Sequence, residues 1–150
     1  MRHQLEKVSS EKMYDMGVTF DDTEKKFVFD FENGGSEDMG LSIRSAVDGV
    51  HKKINLYNYD LVVMPQNRTK VNQYMMRYIY RFNQPRLLNV EDILSEPIDE
   101  ELSSLIRQQN VLVIEDDSDC VSTLNEVLCT LRNLKKDNNI AIFSIIGRNN

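Results

Sequence analysis

Three short apolar runs constrain this chain more than any other feature. They are Tyr59-Asp-Leu-Val-Val-Met64, closed by Pro65, then Asn110-Val-Leu-Val-Ile114, and Ile140-Ala-Ile-Phe-Ser-Ile-Ile146. Each is too short for an ordinary helix and rich in β-branched residues. Such runs read as strands buried on both faces, which require helices on both sides of a parallel sheet.

The intervening segments have helical period. Leu41, Ala46, Val50 and Ile54 share a face over 41–56. Val71, Tyr74, Met75, Tyr78, Ile79 and Phe82 recur at helical spacing, with Arg77 and Arg81 on a different face and Pro85 as terminator. A helix is expected over 98–109, where Asp99, Glu100 and Glu101 favour the first turn, and another over 122–134 on Leu124, Leu128 and Leu131. Lys26–Phe31 reads as a strand with Phe27, Phe29 and Phe31 on one face, and Asn33-Gly34-Gly35 follows as a turn. Arg86–Val90 is a further short strand. The alternation predicts an α/β fold with a mainly parallel sheet flanked by helices, organised as a single domain over 1–150. Residues 1–23 are polar and weakly patterned, and are expected to form a mobile or hood segment.

A chain of 150 residues can bury a core without disulfide or metal staples. The net charge of −6 excludes a general nucleic-acid or anionic-membrane binder, which wants a basic surface. The charge is uneven. Arg68, Lys70, Arg77, Arg81 and Arg86 occur with no acidic residue among them, whereas Arg107 is the single basic residue between Glu91 and Asp119. A charge run taken alone is a solvated helix face; a local basic patch can also take a small polyanion. Cys120 and Cys129 are too few for a disulfide scaffold or zinc site, and His3 and His51 are far apart. The polar start and the lack of a long apolar run point to the cytoplasm and away from a membrane.

Chemistry concentrates in Val111–Leu124. An apolar strand runs into Glu115, Asp116 and Asp117, a polar loop follows, and a helix begins near Ser122 or Thr123. In open α/β sheets ligands bind beyond the carboxyl ends of strands, and a loop-to-helix junction offers amide donors and a positive dipole end to a phosphate. Acidic residues at a strand end accept hydrogen bonds from sugar hydroxyls and help hold Mg²⁺. The competing reading of Glu115-Asp116-Asp117 is a solvated strand end and helix cap with no ligand.

This stretch resembles the phosphoribosyl-pyrophosphate (PRPP) motif of type I phosphoribosyltransferases: an apolar strand, an acidic pair, a short hydroxyl-rich loop and a helix. The resemblance implies that Glu115 and Asp116 hold the ribose hydroxyls and carry the catalytic role, with a Mg²⁺ brought by the substrate. It places the 5′-phosphate on the Asp117–Thr123 loop, through Asp117, Asp119, Cys120, Val121, Ser122 and Thr123. An earlier loop, Gln66-Asn67-Arg68, stands where that family handles pyrophosphate, and Val71-Asn72-Gln73 is similar to the Phe-Asn-Gln of its ComF-like, amidophosphoribosyltransferase-like branch. Val121 stands where the family has glycine and Cys120 where it has threonine, and Asp119 adds a negative charge to the loop. Valine resists the backbone freedom glycine supplies, and like charges about 4 Å apart repel by roughly 1 kcal/mol even in water, so these departures weaken the cradle.

Val111–Asp117 also resembles the opening strand and acidic pocket of a response-regulator receiver domain. That class needs four more strand–helix units, and 115–150 has room for one helix and one strand, so that reading is set aside. Two function classes remain: a phosphoribosyltransferase-like domain binding PRPP or a nucleotide monophosphate, and a non-catalytic relative serving regulation or protein association, as a homodimer or with a partner protein.

Overall fold

The structure is a computed structural model that describes residues 18–30, 39–65, 69–95, 97–116, 121–135 and 139–146. Within these residues six strands form one sheet: β1 (Val18–Asp21), β2 (Lys26–Asp30), β3 (Leu61–Met64), β4 (Arg86–Asn89), β5 (Val111–Asp116) and β6 (Ile140–Ile146). The helices are α1 (Met39–Ile54), α2 (Lys70–Ile79), α3 (Val90–Leu94), α4 (Glu100–Gln108) and α5 (Val121–Leu134). The strand order is β1-β2-β6-β5-β3-β4. Only β1, at one edge, runs antiparallel to its neighbour. The α/β class with a mainly parallel sheet is therefore the class observed.

The apolar runs occupy the centre because both of their faces are covered. All four residues of β3 are buried. Val62 and Met64 join the core under α1 and α2, while Leu61 and Val63 join the core under α3, α4 and α5. The same alternation divides β5: Leu112 and Ile114 belong to the first core, Val111 and Val113 to the second. Period-two alternation thus serves two hydrophobic layers at once.

Helix faces follow the same logic. In α1 the buried apolar side chains are Ile43, Ala46, Val47 and Val50. Leu41, expected on that face, is 56% exposed, and Ile43 takes its place at the head of the stripe. In α2 the Thr69 hydroxyl caps the helix by accepting from the Asn72 N–H at 3.1 Å. The Asp99 carboxylate does the same for α4, accepting from the Glu101 N–H at 2.7 Å.

Two elements differ from expectation. Val18–Asp21, inside the weakly patterned first 23 residues, pairs with β2 through a tight connection. Asp21 Oδ1 accepts from the Thr23 N–H at 2.9 Å, and Lys25 takes a positive φ of 53°. Val90 leaves β4 and opens a short helix with Glu91 and Asp92 in its first turn. Phe31 and the Asn33-Gly34-Gly35 turn lie outside the described residues. Among the described residues no helix is long and apolar enough to cross a membrane.

Candidate functional site at the ends of β3 and β5

Among the described strands, the connections diverge between β3 and β5. From β3 the chain passes through α2, on the α1 side, to β4 at the outer edge. From β5 it passes through α5, on the opposite side, to β6 in the other direction. Strands β3 and β5 are direct neighbours, with Leu61, Val62 and Val63 registered on Val111, Leu112 and Val113. Both point the same way, so beyond their carboxyl ends the chain departs to opposite faces. Such a switch point leaves a crevice, the usual ligand position of an open α/β sheet.

The two segments singled out by sequence follow these two strand ends. Gln66, Asn67 and Arg68, and Asp117, Asp119 and Cys120, lie outside the described residues. The strand ends they continue, Met64-Pro65 and Glu115-Asp116, are side by side. Val121 and Ser122 are the first residues of α5, and Thr123 follows, half-buried.

Glu115 has the best-defined geometry of the set. It is buried, with 8% exposure, and its Oε2 accepts a hydrogen bond from the Ser144 hydroxyl at 3.4 Å. Ser144 is its register partner on β6. A carboxylate taken out of water needs such donors, because an unpaired buried charge is costly. Glu115 also lines a cavity of about 130 Å³ with Pro65, Glu91, Thr123 and Val127, between the sheet and the head of α5. Pockets that enclose small molecules run to roughly 300–1,000 Å³. The space enclosed beside Glu115 is smaller than that.

The charged stretches divide by position. Lys70 and Arg77 are exposed on α2, the Arg77 guanidinium 5.3 Å from the Tyr74 ring centroid. Arg81 lies at the far end of the sheet, 2.6 Å from Asp48 and over the Phe82 ring. There His51 stacks on Phe82 at 3.9 Å, and its Nδ1 accepts from the Leu56 N–H at 3.0 Å. Arg81 and His51 thus belong to a structural clasp. In the acidic stretch, Asp99 caps α4 and Glu100 lies 3.2 Å from Arg107. Cys129 is exposed, and among the described residues no group of three or more His, Cys, Asp and Glu could hold a metal ion.

Motif reading does not reach Ser144, and it includes Asn72 in the Val71-Asn72-Gln73 resemblance without giving it a role. Ser144 is the one hydroxyl in an otherwise apolar strand. Asn72 interrupts the apolar stripe of α2; it is fully buried, and among the described residues neither carboxamide atom has a partner. The fold defines a class, an open α/β arrangement with a mainly parallel six-stranded sheet. No protein-family model, curated protein or solved structure matches the chain.

Proposed function

We propose that this chain is a phosphoribosyltransferase-like domain that binds PRPP or a nucleotide monophosphate in the crevice between β3 and β5. The observation that carries the reading is the adjacency of two strand ends, Met64-Pro65 and Glu115-Asp116, that are far apart in sequence. The resemblance drawn from sequence assigns pyrophosphate to the segment after the first and ribose phosphate to the segment after the second. In this reading Glu115 and Asp116 take the ribose hydroxyls. Val121, Ser122 and Thr123, with the segment before them, take the 5′-phosphate at the head of α5. Gln66, Asn67 and Arg68 face the pyrophosphate. A Mg²⁺ carried by the substrate suits this set, because that ion is held by one or two carboxylates plus substrate phosphates. In a transfer reaction the bond from ribose C1 to pyrophosphate breaks as a nucleophile bonds to C1. The acidic floor would stabilise the positive charge developing on the sugar, and amide or cationic donors the leaving pyrophosphate.

The second reading, a non-catalytic relative that regulates or associates, is favoured by one observation. Glu115 is buried and bonded to Ser144, as a structural carboxylate would be. Asp119 and Val121, where the family has neither an acid nor a valine, point the same way.

The experiment is thermal unfolding with PRPP and Mg²⁺, separately and together. At about 100 times Kd a ligand stabilises by roughly 2.7 kcal/mol, or about 5–11 °C for a domain of this size. A shift that needs both, and that is lost in Asp116→Asn, is expected of a working ribose-phosphate site. No shift at millimolar PRPP would sink the transferase reading and leave the association module. Retained affinity in Asp116→Asn would mean that the ribose lies elsewhere.

A further inference from the structure

Asn72 is the most anomalous polar group among the described residues. Its relative exposure is 0%, and neither Oδ1 nor Nδ2 has a hydrogen-bond partner among those residues. Buried polar groups are almost always paired, and leaving one unpaired costs stability that a leucine of similar size would not. The residue is not at a margin of its helix. With Val71, Met75, Met76 and Ile79 it makes up the buried face of α2, and its angular position is near the centre of that stripe.

Its position along α2 is equally informative. The ten-residue helix begins at Lys70, six residues after β3 ends at Met64, and Asn72 is in its first turn. Strand β3 leads into α2 at the carboxyl end of the sheet, so this first turn stands at the crevice. Helical side chains lean toward the helix N-terminus, which directs the carboxamide to the head of α2 rather than down the core. The backbone N–H of Asn72 is already used by the Thr69 hydroxyl at 3.1 Å, so the side chain is not needed as a cap.

We propose that the Asn72 carboxamide is a ligand-binding group of the crevice, reading a phosphorylated ligand that also bears a hydroxyl. The inference rests on the site proposed above and adds to it a residue outside the acidic motif. The chemistry follows from the carboxamide itself. Nδ2 offers two donors and Oδ1 an acceptor. A phosphate oxygen, favoured at a helix N-terminus, satisfies Nδ2 but has no proton for Oδ1. A sugar hydroxyl donates to Oδ1, so a sugar phosphate can satisfy both ends where a bare oxyanion satisfies one. Access to a side chain without exposed surface requires the head of α2 to give way as the ligand enters, a local opening of the kind binding segments undergo.

The test compares wild type, Asn72→Leu and Asn72→Ala by thermal unfolding and calorimetric titration. The probes are PRPP with Mg²⁺, ribose 5-phosphate and inorganic pyrophosphate. Without ligand, Asn72→Leu should melt above wild type, since it removes an unpaid desolvation. With PRPP, both variants should bind at least about tenfold more weakly, the loss of a hydrogen bond to a charged ligand. If the leucine variant does not fold, the alanine variant carries the affinity comparison. Equal PRPP affinity in variant and wild type overturns this inference and leaves the site reading standing. PRPP without effect on wild type, alongside Asn72-dependent binding of ribose 5-phosphate, overturns the transferase-like reading and sustains this one. Binding of none of the probes overturns both. A ligand-free Asn72→Leu that melts well below wild type identifies a structural amide satisfied by buried water, and also overturns the inference.

Discussion

Phe143→Ala is the perturbation that most directly tests the arrangement on which the site depends. Phe143 is fully buried on β6. Its register partners are Phe27 on β2 and Ile114 on β5, which are also buried. The three side chains form a row across neighbouring strands, in the core beneath α1 and α2. Truncating such a phenylalanine removes its transfer free energy and leaves a cavity that the sheet cannot close, at about 3–5 kcal/mol. That is a large part of the 5–15 kcal/mol typical of a whole domain. With about 2–4 °C per kcal/mol at this chain length, Tm should fall by roughly 6–20 °C. Urea unfolding followed by far-ultraviolet circular dichroism measures the loss as a shift in midpoint. Arg44→Ala, at an exposed position of α1, serves as the control and should change stability by less than about 0.5 kcal/mol. A Phe143→Ala loss below about 1 kcal/mol would refute this packing.

Two further outcomes are expected. Thr69→Ala should cost about 1 kcal/mol, read as a fall in Tm of about 2–4 °C, because its hydroxyl caps α2; Thr69→Ser should restore most of it, and an alanine variant as stable as wild type would show the cap contributes nothing. Burial holds the Tyr59 hydroxyl above its ordinary pKa of 10.0. The raised folded pKa means that this contribution is complete below pH 10 and is lost as pH rises through the folded value. Ultraviolet titration should find one tyrosine ionising late, absent in Tyr59→Phe, and identical titration curves would remove the assignment.

The parts of the fold legible in sequence are those where one local pattern has one solution. Leu61–Met64 and Val111–Ile114 could be satisfied only by burial on both faces. Phe27 and Phe29 alternate so regularly that β2 follows from period alone. The elements that escape are those decided by neighbours. Val18–Asp21 has an exposed Thr19 and Asp21, and becomes a strand because β2 offers it an edge. Val90 has the side chain of a strand residue, yet the acidic Glu91 and Asp92 behind it suit a helix start, and the chain turns there. Leu41 fits the apolar stripe of α1 and still faces solvent, because at the first turn the covering surface is reached by Ile43. At the site, motif reading reaches Glu115 but not its partner. The hydroxyl that meets Glu115 comes from another strand, 29 residues on, and only the register reveals it.

The position of β4 bears most on function. Sequence places the 66–68 and 117–120 segments in the order a phosphoribosyltransferase would need, but chain order says nothing about distance. Had β4 been inserted between β3 and β5, as the order along the chain would suggest, their ends would stand two strand spacings apart, roughly 10 Å. With β4 at the outer edge they stand one spacing apart, about 4.8 Å. The two strands are neighbours because the chain goes outward through α2 and returns past β3 before it continues through α5 on the other face. Under the proposed function, a ligand that touches both strand ends need be no larger than a ribose carrying its phosphates. Whichever ligand enters, its affinity should depend on groups from both strand-to-helix connections, and a molecule that engages only one of them should bind weakly.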